Sequence, residues 1–152
     1  MERRGALMLK RLVITVVVGA ISPCAVAAER TAVLIVSATS VVTSLDAHDA
    51  RLLFLGHPVR VAGHVLVPLR NLSDARLEQV FLQNLVAMTS TGYDRYVLRL
   101  ALQQGRPRPR EFGDSGALLA ALTVSPLAVT YTWDSEIRGN PDVRIVRVLW
   151  RE

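Results

Sequence analysis

Apolar positions occur in blocks along the chain, and the spacing within each block indicates a strand or a helix. Residues 31–36 form a continuous apolar, partly β-branched run, which predicts a strand buried on both faces. Residues 64–69 predict a second strand and residues 127–133 a third. Apolar and charged positions alternate over residues 143–149, which predicts an edge strand after a turn at 138–141.

Helical patterns separate these predicted strands. The first helix is expected to open at Ser44 or Asp46, since Asp46 and Asp49 approximate a capping box. It is expected to end at Gly56, which suits a left-handed C-cap.

A long helix is then expected, capped by Asn71 or Ser73. Its stripe recurs at positions 77, 80, 81, 84, 85 and 88 and is apolar except at Asn84. Gly92 is expected to break the helix. The same helical spacing of apolar residues begins again at positions 93, 96, 97 and 100, which predicts another helix.

The prolines at 107 and 109 predict an extended loop over residues 105–110. A short helix capped by Asp114 or Ser115 follows and ends near Thr123. The fold class predicted is α/β, with a mixed sheet flanked by helices in a single domain, residues 29–152.

Residues 1–28 have the layout of a cleaved signal peptide. Basic residues at 3, 4, 10 and 11 precede a ten-residue apolar run, which is too short to span a bilayer, and small residues follow at 25–28. Cleavage fits equally well after Ala27 or Ala28. An uncleaved anchor is the alternative, and Pro23 disfavours lipid attachment at Cys24. We therefore expect a periplasmic protein with no cysteine and no membrane span after cleavage.

Removal of the leader changes the charge balance. The whole chain has 18 basic and 13 acidic side chains, and four basic residues and Glu2 leave with the leader. The remaining 14 basic and 12 acidic residues give a net charge of about +2. This small surplus does not favour a nucleic-acid partner.

No catalytic constellation is found. His48, His57 and His64 lack metal-ligand spacing, and no Gly-x-Ser-x-Gly elbow surrounds the hydroxyls after the first strand. Asp134 and Glu136 are expected in a solvated loop. We therefore expect no enzyme activity, no cofactor and no metal site.

Two polar groups are candidates for binding an anion. Arg70, Asn71 and Ser73 are expected just past the second strand, where a guanidinium and free helix N–H groups can grip the same oxygens. Ordinary helix capping explains them equally well. The second group follows the first strand and consists of Ser37, Thr39 and Ser40, for which a polar loop is the alternative.

Arginines 106, 108 and 110 form a basic loop. Its two interpretations are a contact with an acidic partner and a soluble linker.

Five segments together resemble one family. VLIVSA, SLDAHDARLLFLG, HVLVPLRN, YDRYVLRLALQQGRPRPREF and SPLAVTYTW occur in the order seen in the short phosphate ABC transporter substrate-binding-protein-like family. The resemblance implies a type II periplasmic-binding-protein fold reduced to about one lobe. It also implies binding of phosphate or a related oxyanion, linked to ABC-type transport through a membrane transporter or sensor partner.

The chain departs from the pattern of its full-length relatives at the phosphate cradle. Those relatives follow this strand with an arginine and a Ser-Gly-Thr sequence, whereas here Asp74 and Ala75 follow Ser73. Both glycines of a later Pro-Gly-Ala-Ile-Gly-Tyr motif are replaced in residues 126–131. The alternative function is therefore a periplasmic accessory or interaction protein that retains the fold without binding a ligand.

Overall fold

The computed structural model describes residues 29–152, so the expected signal peptide lies outside the described residues. The strands are β1 Thr31–Ser37, β2 Arg60–Val61, β3 His64–Val65, β4 Val67–Asn71, β5 Arg110–Phe112, β6 Ala128–Trp133 and β7 Val143–Arg151. The helices are α1 Ala47–Phe54, α2 Ala75–Val80, α3 Ser90–Gln104, α4 Ser115–Thr123 and α5 Asp134–Ile137, with a π-helical segment, Phe81–Val86, directly after α2.

Five strands form one mixed sheet in the order β5-β4-β6-β1-β7. Strand β4 runs parallel to both β5 and β6, and β1 runs antiparallel to both β6 and β7. Strands β2 and β3 form a separate two-stranded hairpin, so the strand predicted over residues 64–69 is divided between β3 and β4. The predicted α/β class with a mixed sheet flanked by helices is confirmed.

Strand β1 lies inside the sheet because its residues are apolar on both faces. Leu34 and its same-face neighbours pack in the larger core with α1, α2, the π-helical segment and α3. Val33 and Ile35 face the opposite side and pack against α4 and α5. Since successive residues of a strand point to opposite faces, this assignment also fixes the face of every polar residue along the sheet.

Helix α1 begins and ends as its sequence predicts. The carboxylate of Asp46 accepts a hydrogen bond from the backbone N–H of Asp49 at 2.7 Å. Gly56 has a φ of 85°, and the N–H of His57 donates to the Leu52 carbonyl at 2.9 Å. The left-handed glycine therefore closes the helix in a Schellman-type arrangement.

The helical region after β4 differs from the expected long helix ending at Gly92. Helix α2 has six residues, the π-helical segment continues it, and the backbone then reverses at Ala87, whose φ is 55°. Gly92 lies instead in the first turn of α3, where its N–H donates to the Thr89 side chain. Thr89 is a strong N-cap, so the chain starts a new helix before reaching the glycine.

The remaining differences are local. Strand β5 was not predicted. Asp134 and Glu136, expected in a solvated loop, lie in the short helix α5. The Glu136 carboxylate accepts a hydrogen bond from the Thr132 hydroxyl at 2.5 Å. Helix α4 is capped by Asp114, and β7 lies at the sheet edge, both as predicted. No helix within residues 29–152 has the length and apolar character needed to cross a bilayer.

Candidate functional site

Arg70 lies inside strand β4, not beyond its end as the sequence suggested. The parallel ladder to β5 pairs Arg70 with Glu111 and Asn71 with Phe112, and the N–H of Leu72 donates to the Phe112 carbonyl at 2.8 Å. This pairing extends the strand to Asn71. The strand assignment for Arg70 and Asn71 is therefore corrected, because the unpredicted strand β5 supplies their backbone partners.

Three carboxylates surround the guanidinium of Arg70. Its Nη2 donates to Glu78 at 2.5 Å, and its Nη1 donates to Glu111 at 2.8 Å and to Asp94 at 3.1 Å. The Arg70 side chain is 5% exposed, whereas those of Glu78, Asp94 and Glu111 are 24%, 50% and 43% exposed. The positive charge is thus buried and the negative charges extend to the surface.

The ring of Tyr93 lies under the same guanidinium. The ring centroid lies 4.8 Å from the Arg70 Cζ, which is cation–π distance. Burial lowers the pKa of Arg70, but the charge of Glu78 and its hydrogen bond raise it, and the net pKa is raised. Burial also raises the pKa of Tyr93 and of Tyr131. Arg70 therefore remains a cation, and both phenols remain protonated at neutral pH.

Little space remains beside Arg70. The cavity lined by Arg70, Asp94 and Glu111 has a volume of about 10 Å³, which is close to the minimum for one water molecule. The Nε of Arg70 is buried and has no hydrogen-bond partner among the described residues. As folded here, the site holds a guanidinium already neutralised by protein carboxylates, with no volume for a phosphate-sized anion.

Asn71 is fully buried and its polar groups are used inside the protein. Its Nδ2 donates to the Tyr131 carbonyl at 3.0 Å, and its Oδ1 accepts from the backbone N–H and the hydroxyl of Ser73. The Tyr131 hydroxyl donates to the Asn71 carbonyl at 3.1 Å. In this arrangement Asn71 joins the end of β4 to β6 and to the turn at Ser73.

Neither Asn71 nor Ser73 caps helix α2, which corrects the capping expectation. Asp74 is the N-cap, and its carboxylate accepts from the Leu77 N–H at 2.8 Å. Asp74 is the residue that departs from the cradle of the full-length relatives. Its carboxylate occupies the place at the helix start where an anion would meet the N–H groups.

Ser37, Thr39 and Ser40 do not lie near Arg70. Val36, next to Ser37, is level with Val129 and Pro68 across the sheet, so Ser37 lies at the end of the sheet where β4 begins. Arg70 lies toward the other end. Ser37 also shares a face with Val33 and Ile35, which is opposite to the face of Arg70.

The first-strand hydroxyls are bonded locally. Ser37 and Thr39 are hydrogen-bonded to each other at 3.0 Å, and the Ser40 hydroxyl accepts from the Val42 N–H at 3.2 Å. Arg144 donates to the carbonyls of Ser40 and Val42. The structure therefore separates the two sets of candidate residues and does not combine them into one site.

Sequence reasoning missed Glu78, Asp94 and Glu111. They come from α2, α3 and β5, so no local spacing links them to Arg70. The available signal was indirect: an arginine that follows the apolar residues of a buried strand requires a counter-charge or hydrogen-bond acceptors.

Arg106 of the basic loop and His57 form hydrogen bonds within the protein. Arg106 donates to the Gly56 carbonyl at 3.0 Å, and the His57 Nε2 lies 2.9 Å from the Tyr96 hydroxyl. Within residues 29–152, no group of three or more histidine, cysteine, aspartate and glutamate side chains could hold a metal ion.

Comparisons with known proteins identify the fold. No family model matches the chain, and no curated protein matches it. Among solved structures, it is similar to a protein of Clostridium perfringens described as a phosphate ABC transporter substrate-binding protein with bound phosphate (TM-score 0.57, 12% identity) and to PstS of Borrelia burgdorferi (TM-score 0.57, 10% identity). An ABC-type phosphate transport receptor of Vibrio cholerae is similar with a TM-score of 0.50 and 9% identity.

Each match covers 78% of this chain. It covers only 45% of the Clostridium perfringens protein, 47% of the Borrelia burgdorferi protein and 46% of the Vibrio cholerae protein. The chain therefore spans less than half the length of the proteins it matches. At 9–12% identity the likeness concerns the fold alone. The described residues have a fold that matches part of these substrate-binding proteins, about a single lobe.

Proposed function

We propose that this chain is an exported, single-lobe binding-protein-like module that acts by contacting another protein of the cell envelope and does not capture an oxyanion at Arg70. The periplasmic location rests on the signal-peptide layout of residues 1–28. A membrane transporter or sensor is the expected class of partner, in keeping with the ABC-transport names of the structural neighbours.

The observation that carries this proposal is the neutralised guanidinium of Arg70. An anion entering the site would meet the carboxylates of Glu78, Asp94 and Glu111 within hydrogen-bond distance of the same cation. Like charges at such distances repel strongly when they are partly removed from water. The anion would first have to displace carboxylates that are already well placed.

A second candidate function is binding of phosphate or a related oxyanion. Two observations favour it: the Nε of Arg70 has no partner among the described residues, and the side chains of Asp94 and Glu111 are half-exposed. One structural neighbour is described with bound phosphate. In this case the three carboxylates would act as a gate that opens when an anion arrives.

Thermal unfolding with anions separates the two candidates. The full chain, as processed by the cell, is unfolded with no addition and with 10 mM phosphate, sulfate or arsenate at constant ionic strength. Since a ligand that binds only the folded state stabilises it, the first proposal predicts a shift in Tm below about 1 °C for all three anions.

A shift of about 3 °C or more with phosphate, and not with chloride at the same ionic strength, would support the oxyanion function. The control variant is Arg60→Ala, which removes an exposed arginine outside the site. If Arg60→Ala keeps a phosphate shift that is lost after Arg70→Lys, the binding site is at Arg70.

A further inference from the structure

Three adjoining clefts lie along the π-helical segment and the start of α3. Three clefts with volumes of about 390, 430 and 380 Å³ follow one another there. The first and second share Ala87, and the second and third share Met88 and Thr89. We call these three connected clefts the π-helix groove.

The two ends of the π-helix groove are basic. His48, Arg51 and Arg147 line one end, and Arg95 and Arg99 line the other. No aspartate or glutamate of the described residues lines any of the three clefts. None of these four arginines forms an ion pair within residues 29–152, unlike Arg70.

The middle of the groove is uncharged and partly apolar. Leu82, Gln83 and Met88 line it, and Leu85 lies in the floor of the neighbouring cleft. The π-helical turn and the left-handed residue Ala87 shape this wall. Such irregular helix geometry is frequent at functional sites, although by itself it identifies no ligand.

We propose that the π-helix groove binds an extended peptide segment of a partner protein, with acidic residues at both ends and an apolar residue between them. This inference rests on the proposed function as a protein-contact module. The arrangement of charge complements such a segment, since carboxylates would meet arginines at each end. A single small anion would reach only one end, and a flat anionic membrane would leave the concave clefts unfilled.

The test selects random twelve-residue display peptides on the immobilised full chain, as processed by the cell. The affinity of the strongest synthetic peptides is then measured by fluorescence anisotropy. We expect the selected peptides to be enriched in aspartate and glutamate on both sides of a leucine, methionine or aromatic residue. Their affinity should fall as salt is raised, because the charges are at the surface.

Charge reversal locates the binding. Arg51→Glu with Arg147→Glu, and separately Arg95→Glu with Arg99→Glu, should each weaken the selected peptides by about tenfold or more, since each pair turns attraction into repulsion. Arg60→Glu with Arg151→Glu is the matched control, because it changes the net charge equally at exposed positions outside the groove. It should change the affinity by less than about threefold. Circular dichroism verifies that each variant is folded.

The proposal is overturned if no peptide is enriched, if the enriched peptides are not acidic, or if groove and control variants bind them equally. It is also overturned if the chain sediments with phosphatidylglycerol vesicles through the same arginines and selects no peptide. A phosphate-induced Tm shift that depends on Arg70 would contradict the proposed function instead. The two failures are therefore distinguishable.

Discussion

Glu111 stands opposite Arg70 in the parallel ladder between β4 and β5, and its carboxylate accepts a hydrogen bond from the guanidinium at 2.8 Å. The backbone pairing that brings β5 to the edge of the sheet thus also delivers a counter-charge to the buried arginine. Glu78 and Asp94 complete the arrangement from two helices. The protein itself supplies the negative charge that a bound oxyanion would otherwise bring.

Replacement of Arg70 by alanine should destabilise the protein by about 3 kcal/mol. Loss of one partner from a buried ion pair destabilises a protein because the other charge is left uncompensated. Since Asp94 and Glu111 are half-exposed, we expect a loss of stability at the low end of the range usual for such pairs. Urea denaturation measures the change. Arg60→Ala, at an exposed position, should cost less than about 0.5 kcal/mol. A cost below about 1 kcal/mol for Arg70→Ala would contradict a structural role for the cluster.

Removal of two carboxylates should create an anion site. In Glu78→Ala with Glu111→Ala, Arg70 keeps only Asp94 and gains the volume of two side chains. We expect 10 mM phosphate to raise the Tm of this variant by about 5 °C, the effect of a dissociation constant near 1 mM, and to leave the parent unchanged.

The matched control is Asp142→Ala with Glu152→Ala, which removes two exposed carboxylates elsewhere. It should show no phosphate shift. If the control responds as strongly as the double variant, the effect is a general response to net charge, and the interpretation of Arg70 loses its support.

Stability should decline above about pH 10. The pKa values of Tyr93 and Tyr131 are raised in the folded state, mainly by burial, so the unfolded chain releases these protons first as the pH increases. The stabilisation is fully present below the unfolded pKa and is lost as the pH rises toward the folded one. Two such groups give a slope of about −2.7 kcal/mol per pH unit in the free energy of unfolding.

Tyr93→Phe provides the control for the alkaline slope. It removes one of the two titrating groups and the hydrogen bond from the Tyr93 hydroxyl to the Phe54 carbonyl. The variant should be less stable at pH 8 and should lose about half of the slope. An unchanged slope, measured by urea denaturation between pH 9 and 11, would show that Tyr93 does not contribute.

Asn71→Ala should cost more stability than Ser73→Ala. Asn71 is fully buried and bonds to Tyr131 and Ser73, so its removal leaves buried polar groups unpaired, at a cost of about 2–3 kcal/mol. Ser73→Ala should cost about 1 kcal/mol. Neither should alter the thermal response to phosphate. A ligand role for Asn71 would instead appear as a phosphate shift that the substitution abolishes.

Local rules predicted much of the scaffold. The unbroken apolar run of β1, the Asp46 cap and the left-handed Gly56 depend on neighbouring residues, and all three appear in the structure. Strand β7 lies at the sheet edge as predicted, but the exposure of its residues does not alternate one by one. Strand β5 could not be found this way. It has three residues with no apolar alternation, and it forms because β4 offers it a partner.

The candidate site was harder to predict because the residues that form it are far apart in the sequence. The sequence pattern placed Arg70 just past the end of a strand and near a helix start, a position that also suits an arginine that binds phosphate. Its partners Asp94 and Glu111 lie 24 and 41 residues away along the chain. The first-strand hydroxyls were a second candidate group for binding an anion. The antiparallel direction of β1 places them at the opposite end of the sheet from Arg70.

Nuclear magnetic resonance of the arginine side chains during a phosphate titration shows whether the Arg70 guanidinium binds an added anion. The Nε–H resonance of Arg70 is assigned from its loss in Arg70→Lys and followed to 20 mM phosphate at constant ionic strength. If the carboxylates of Glu78, Asp94 and Glu111 hold the guanidinium, the Arg70 resonance stays in place while exposed arginines shift slightly and without saturation. A saturating shift of the Arg70 resonance would contradict the account and establish the protein as an oxyanion binder at this site.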